Sequence, residues 1–324
     1  MTAGQAERQI QFYYPLGAIL KETALYKDAL MKIGYPCINR TIGCQSGSTF
    51  RLKSYSEQRL IETVSGNLKC LQRILEFNVS NGILFFRITS DLIPFASHPI
   101  NTYDWAGHFK QDFKRIGSYI RQNNIRISMH PDQFTLINAI DNTILQNSIA
   151  ELNYHAMVLD MLGLDQSAKI QIHIGGVYGN KSESIRRFIA RHENLPNLIK
   201  RRLVIENDDV SYSLSDCLRI HNETGIPILF DVFHHSLNCS GQSLDDALKL
   251  SSNTWDDNDG CLMVDYSEHI PGDLTRKHAE TIDMTAFQYF LATAKNYDFD
   301  IMLEIKDKEN SALRAAAYVS ALKS

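Results

Sequence analysis

The chain has 324 residues, 44% of them hydrophobic and 22% charged, which suits one large domain with a sizeable core and excludes a disordered chain. Its formal net charge of −4 lacks the strongly basic balance that marks most nucleic-acid-binding domains, although bound divalent cations add positive charge that such a sum omits. No apolar run reaches the roughly 18 residues of a membrane span, no secretory signal opens the chain, and none of the six cysteines (Cys37, Cys44, Cys70, Cys217, Cys239, Cys261) forms a C-x-x-C pair, so reduced thiols in a cytoplasmic protein, nucleoid-associated in a prokaryote, are expected.

Residues 1–30 read as an N-terminal extension, with a weakly helical stretch at Gly17–Lys32, and residues 31–324 as one domain. The first strand is predicted at Lys32–Cys37. A helix follows over Ser56–Val79, where Leu60, Val64, Leu68, Leu71 and Leu75 share a face at spacings of three and four. Ser56 is a good N-cap for it. The alternation continues with strand Leu84–Thr89 and helix Phe109–Gln122, then strand Arg126–Met129 and helix Asn142–Leu162. Strand Lys169–Ile174 precedes helix Ser182–Arg191, and strand Arg202–Glu206 precedes helix Leu214–Glu223. Strand Pro227–Val232 leads to helix Ser243–Ser251, strand Cys261–Tyr266 to helix Thr285–Asn296, and strand Asp300–Ile305 to helix Asn310–Leu322. Eight strand–helix units are the count of a (β/α)8 TIM barrel. A doubly wound open sheet shares the local alternation, but no G-x-G-x-x-G opens a helix, so one closed barrel is expected.

In such a barrel the active site is built from the C-terminal ends of the strands. Strand three ends at Ser128-Met129-His130-Pro131 and strand four at Ile172-His173-Ile174-Gly175-Gly176. Strand five ends at Ile205-Glu206-Asn207-Asp208 and strand six at Phe230-Asp231-Val232-Phe233-His234-His235. Strand seven ends at Val264-Asp265-Tyr266-Ser267-Glu268 and strand eight at Leu303-Glu304-Ile305-Lys306. Each puts a histidine or carboxylate into a mouth that otherwise favours Val, Ile or Leu. Taken singly, each has a plainer reading. A strand-end histidine is often hydrogen-bonded structure, Asp231 can cap the next turn, and Glu304 can pair with Lys306. His155, His221 and His235 are assigned such structural or surface roles. Six strands in succession favour a divalent-metal site instead, because buried charges need partners and imidazole with carboxylate suits Zn, Mn or Fe. A carboxylate such as Glu206 can bridge two ions. Such pairs act on phosphates by lowering the pKa of a bound water and neutralising charge on phosphate oxygens. Gly175 and Gly176 would let a substrate backbone approach closely. A sugar isomerase can use a similar metal barrel, so the ligands alone leave the reaction open.

Longer blocks surround these residues. They are Gly34-Tyr35-Pro36-Cys37-Ile38-Asn39, Phe86-Arg87-Ile88, Ile93-Pro94-Phe95-Ala96-Ser97-His98-Pro99 and Ser128-Met129-His130-Pro131-Asp132-Gln133-Phe134. Further on come His173-Ile174-Gly175-Gly176-Val177-Tyr178-Gly179, Glu206-Asn207-Asp208, Asp231-Val232-Phe233-His234-His235 and Glu304-Ile305-Lys306. From about Lys32 to about Lys308 the blocks resemble, in order, the UV damage endonuclease family. The resemblance implies a TIM barrel related to endonuclease IV, with two or three divalent ions, manganese foremost and Mg2+, Co2+ or Zn2+ as alternatives. It implies a monomer that incises damaged double-stranded DNA on the 5′ side of cyclobutane dimers, 6-4 photoproducts and abasic sites. The products would be a 3′-hydroxyl and a 5′-phosphate. An abasic-site endonuclease of the endonuclease IV type is the nearest alternative activity.

Carried over by position, His130, His173 and Glu206 look like one metal set. Glu206, Asp231 and Glu304 look like a second, and His234 with His278 a third. Asp265 stands where some members have a histidine ligand, and it is counted as a ligand here. Met263 stands where some members carry a modified lysine, and it cannot carry that group. Glu206 is the expected catalytic centre, together with His98, which matches a family histidine near the metals. Gln133 and Phe134 match the pair that probes the damaged duplex. Phe134 replaces a tyrosine and keeps a ring that can stack or wedge. Tyr35 and Asn39 match further DNA-contacting positions. A damaged step is already unstacked, so bending it costs less, which reconciles a DNA substrate with the weak basic signal.

Overall fold

The computed structural model describes residues 31–268 and 276–322. Eight parallel strands form the sheet: β1 (Ile33–Pro36), β2 (Phe85–Ile88), β3 (Arg126–Met129), β4 (Lys169–His173), β5 (Leu203–Glu206), β6 (Ile228–Asp231), β7 (Leu262–Tyr266) and β8 (Phe299–Leu303). They pair in chain order, and β8 closes on β1 through Ile33 with Ile301 and Gly34 with Met302. The sheet is therefore a closed TIM barrel and not an open doubly wound sheet. A side chain is excluded at Gly34, where a Cβ would lie 2.4 Å from the Phe85 carbonyl oxygen. Only glycine lets β1 approach β2 so closely.

All eight predicted helices form the outer ring, with ends within two residues of expectation: Glu57–Ser80, Lys110–Gln122, Asn142–Met161, Lys181–Glu193, Leu214–Thr224, Leu244–Ser252, Met284–Ala294 and Glu309–Ala321. The first buries the predicted stripe of Leu60, Val64, Leu68, Leu71 and Leu75. Ser56 caps it, its hydroxyl oxygen accepting from the Arg59 N–H at 3.2 Å, which satisfies one of the donors that a helix start leaves unpaired. The N-terminal extension expected over residues 1–30 lies outside the described residues. Among the described residues no helix is long and apolar enough to cross a membrane.

Alternation along the strands sets the interior. Phe85, Val204, Leu229, Met263 and Met302 pack into one apolar layer. Two residues further along the same five strands stand Arg87, Glu206, Asp231, Asp265 and Glu304. A polar layer thus sits on an apolar floor, at the C-terminal mouth. Below the floor, Arg126 pairs with Asp300 at 2.9 Å, and its guanidinium lies over the rings of Phe85 and Trp255 at 5.6 and 5.4 Å.

The cysteines depart from expectation. Cys44 and Cys70 form a disulfide with Cα atoms 5.9 Å apart, tying the loop after β1 to helix Glu57–Ser80. Their separation of 26 residues carries no motif, and the pair exists only because the fold lays the loop on the helix. Cys37, Cys217, Cys239 and Cys261 are free.

Candidate metal centre

Glu206, the last residue of β5, is 2% exposed and lies at the centre of the polar layer. His130 Nε2 stands 3.8 Å from its Oε2, and His173 Nε2 stands 3.5 Å from its Oε1. His234 Nδ1 is 3.3 Å from Glu206 Oε1 and 3.5 Å from Asp231 Oδ2. His278 Nε2 lies 3.6 Å from Glu304 Oε2. Three groups of ligand atoms each converge within 4.8 Å: His130, His173 and Glu206; Glu206, Asp231 and His234; and Asp231, Asp265 and Glu304. The groups share Glu206 and Asp231, so they form one continuous constellation.

The donor set fits divalent cations. Separations of 3.3–3.8 Å between histidine nitrogens and the carboxylate oxygens of Glu206 and Asp231 are long for charge-assisted hydrogen bonds. They suit atoms that face a common ion, since donors about 2.1 Å from one metal lie roughly 3–3.5 Å from each other. Asp231 Oδ2 is buried with no hydrogen-bond partner, an orphaned acceptor that a bound cation would satisfy.

Local structure holds the candidate ligands in place. Asp231 Oδ1 accepts from the His234 N–H at 2.6 Å and caps the short helix Val232–Leu237. The capping role read from the sequence is therefore real, and it leaves Oδ2 for the site. Asn207 clamps the same residue, its Nδ2 donating to the Asp231 carbonyl at 2.9 Å and its Oδ1 accepting from the Asp231 N–H at 3.0 Å.

Electrostatics divide the histidines. Burial, against the pull of Glu206, lowers His130 to about 4, so its imidazole is unprotonated at neutral pH. Burial also acts on His234, but Asp231 and Glu206 outweigh it and raise this residue to about 11. Burial lifts the Asp231 carboxyl to about 8, against the attraction of His234. The Asp231–His234 pair therefore retains a proton when no cation is bound. Burial works against ionisation of Glu304 too, yet the adjacent Arg87 guanidinium holds it at about 2.

Two polar residues in this layer were given no role from the sequence. Arg87 Nη2 donates to both oxygens of Asp265, at 2.8 and 2.7 Å, and its Nη1 donates to Glu304 Oε1. Gln171, two residues before His173 on β4, donates from Nε2 to Asp265 Oδ2 at 2.7 Å and to Glu206 Oε2. The available signal was positional. Arg87 and Gln171 interrupt apolar strands at inward-facing positions. Lys306 pairs with Glu280 at 2.5 Å and Glu304 with Arg87, so the plainer alternative of a Glu304–Lys306 ion pair does not form.

The DNA-contacting expectations divide. Gln133 and Phe134 lie on an exposed turn after β3, where Asp132 Oδ1 accepts from the Phe134 N–H at 3.2 Å. Phe134 is 72% exposed. Gln133 lines the mouth cavity, about 320 Å3, with His130, His173, His278, Glu304, Lys306 and Lys308. Tyr35 is a correction. It is 0% exposed, and its hydroxyl donates to Asn78 Oδ1 at 2.7 Å and accepts from Asn39 Nδ2 at 2.8 Å. Asn39 is a correction for the same reason. It is 2% exposed, and its Oδ1 accepts from the Thr41 and Ile42 N–H groups at 2.9 and 3.0 Å. Both side chains are consumed internally and do not face a duplex.

His98 is likewise not brought into the constellation. It is exposed on the loop after β2, with Nδ1 accepting from the Ile100 N–H at 3.0 Å and the ring packed 6.2 Å from that of Phe95. Gly175 and Gly176 do not open space for a substrate either. A Cβ at Gly175 would meet Asn138 Oδ1 at 2.3 Å, and one at Gly176 would meet the Tyr178 ring at 2.8 Å, so the chain itself fills that space. His155 and His235 are structural, as expected. His155 Nδ1 lies 2.8 Å from the Glu151 carbonyl oxygen, and His235 Nε2 lies 3.2 Å from that of Gln242.

The sequence model of the family described as UV-endonuclease UvdE matches residues 29–323. A UV DNA damage endonuclease of Clostridium perfringens (strain 13 / Type A) is 40% identical over 291 residues, covering 88% of this chain and 69% of that protein. The crystal structure of SacUVDE superposes with a TM-score of 0.86 at 45% identity, covering 91% of this chain and 99% of that one. Endonuclease IV from Thermus thermophilus superposes with a TM-score of 0.56 at 12% identity, over 90% of this chain and 99% of its own, which is a likeness of fold alone. Nearly full-length matches to nucleases, together with the carboxylate and histidine constellation in the barrel mouth, resolve the choice between nuclease and sugar isomerase: the chain belongs to the UV-endonuclease UvdE family.

Proposed function

We propose that this UV-damage endonuclease cuts duplex DNA on the 5′ side of a photoproduct, at the barrel mouth around Glu206, leaving a 3′-hydroxyl and a 5′-phosphate. The observation that carries this reading is the convergence of His130, His173 and His234 on one buried carboxylate, at 3.3–3.8 Å. His130, His173 and Glu206 would hold one divalent cation, and Glu206, Asp231, His234 and Glu304 a second, with His278 beside Glu304. Manganese suits this mixture of imidazole and carboxylate. When bound, such ions acidify a water nucleophile and offset the charge that builds on the phosphate oxygens.

The chain's own residues do the rest. Glu206 belongs to both ligand groups and fixes their spacing. Unprotonated His130 offers its nitrogen at neutral pH. Gln133 and Phe134 reach out from the rim, and the Phe134 ring is suited to enter a base step that a lesion has already loosened. Cyclobutane dimers, 6-4 photoproducts and abasic sites all loosen a step in this way. Lys306 and Lys308 border the same cavity and supply cations for the phosphate backbone. The protein would act as a monomer on chromosomal DNA in the cytoplasm. Incubating the purified protein and Mn2+ with a duplex carrying a single dimer tests this. One cut immediately 5′ of the dimer is expected. Cutting of abasic duplex alone would replace this reading with an abasic-site endonuclease, and no cutting would refute it.

A further inference from the structure

β2 delivers an arginine into a layer of carboxylates. Arg87 is 2% exposed. Its Nη2 reaches both oxygens of Asp265, at 2.8 and 2.7 Å, and Gln171 Oε1 at 2.7 Å, while its Nη1 donates to Glu304. Gln171 Nε2 completes the lattice, donating to Asp265 Oδ2 at 2.7 Å and to Glu206 Oε2. Both oxygens of Asp265 are thus engaged, whereas Asp231 Oδ2 has no hydrogen-bond partner. Asp265 Oδ2 accepts from two donors and Oδ1 from one, so a cation recruiting Asp265 would compete with a fully buried guanidinium for the same carboxylate, and an unpaired buried charge is among the costliest features of a protein interior.

We infer that Arg87 is a built-in cation of the site. Its guanidinium meets the charge of the group formed by Asp231, Asp265 and Glu304, takes Asp265 out of the ligand set, and leaves room for two divalent ions and not three. Charge balance agrees. With all four ionised, Glu206, Asp231, Asp265 and Glu304 carry four negative charges, and Arg87 offsets one of them. A phosphodiester entering the mouth restores the fourth, which two divalent cations neutralise and three exceed. Arg87 also braces the ligands, Glu304 directly and Glu206 through Gln171. It is a positioning residue, held by Asp265 and Glu304 in the wall of the mouth cavity. The inference rests on the reading of this site as a divalent-metal centre.

The test is a count of ions. Full-length wild type, Asp265→Asn, Arg87→Lys and Arg87→Gln are titrated with Mn2+ by calorimetry, and bound metal per chain is measured by elemental analysis. Asp265→Asn and Arg87→Lys are expected to bind as many ions as wild type. Arg87→Gln, which frees Asp265 and Glu304, is expected to bind one more. Loss of an ion in Asp265→Asn, or an unchanged count in folded Arg87→Gln, overturns the inference. Should Arg87→Gln fail to fold, the Asp265→Asn count decides alone. A wild-type chain that binds no Mn2+ overturns the metal-centre reading and this inference with it, whereas an ion lost only in Asp265→Asn overturns the inference and leaves that reading intact.

Discussion

His173 and Glu206 are register partners at the ends of adjacent strands β4 and β5, with His173 Nε2 3.5 Å from Glu206 Oε1. Strand pairing thereby fixes an imidazole beside the carboxylate that His130 and His234 also approach. Glu206→Gln keeps the shape and removes the charge. Incision by this variant is expected to fall by roughly 100-fold or more, with weaker Mn2+ binding. Affinity for damaged duplex should stay within a few-fold of wild type, because the rim residues are untouched. Gel-based incision assays beside fluorescence anisotropy separate the two effects, and full activity in this variant would remove Glu206 from the catalytic centre.

Cation binding should release protons. His234 is raised to about 11 by Asp231 and Glu206, and burial raises Asp231 to about 8, so their shared proton must leave before a cation binds. Mn2+ affinity is therefore expected to rise with pH through about 8, where Asp231 loses its proton, and onward toward about 11, where His234 loses its own. Calorimetry in buffers of different ionisation heat reads the proton count directly. The metal-free protein carries the opposite trend. Stability from protonated His234 is complete below its ordinary value of 6.5 and is lost as pH rises toward about 11. Ionising Asp231 against burial lowers stability in the same direction. Without metal, the melting temperature should fall as pH rises above neutrality, and Mn2+ should narrow the gap.

Phe134 is the most exposed of the large apolar side chains at the mouth, at 72%. Phe134→Ala should lose the stacking of about one base, ~1–3 kcal/mol, or roughly 5- to 150-fold in affinity for a lesion-bearing duplex. Undamaged duplex and bound-metal content should be little changed, and Phe134→Tyr should bind as wild type does. Binding of either duplex should weaken with added salt. Competition anisotropy at fixed ionic strength measures both effects.

Tyr35→Phe separates a structural role from a DNA-contacting one. The Tyr35 hydroxyl joins Asn78 and Asn39 in the interior, and its loss leaves two buried amides short of a partner. Urea unfolding should show a cost of about 1–3 kcal/mol, with lesion affinity unchanged. A weaker complex at full stability would return Tyr35 to the interface.

Much of this was legible in the sequence, for physical reasons. All eight strands were, because each is a short apolar run bounded by turns and helices. The polar groups that converge at the mouth were, because His130, His173, Glu206, Asp231, Asp265 and Glu304 each close or follow such a run. The remainder depends on contacts distant in sequence. Arg87 acquires its meaning only from Asp265 and Glu304, 178 and 217 residues away. Tyr35 and Asn39 sit in a block resembling a DNA-contacting one, but a block does not reveal which way a side chain turns. The Cys44–Cys70 bond was hidden for the same reason: its spacing has no signature, and the loop after β1 must first fold onto its helix.

What stands or falls is metal-dependent incision beside a lesion. Its most direct test maps the ends produced from a duplex with one cyclobutane dimer, using wild-type protein with Mn2+, after exhaustive chelation, and after Mn2+ is restored. A single cut immediately 5′ of the dimer is predicted, with a 3′ end that a polymerase extends, lost on chelation and regained with Mn2+. A cut that survives full chelation, or one that appears only at abasic sites, would contradict it.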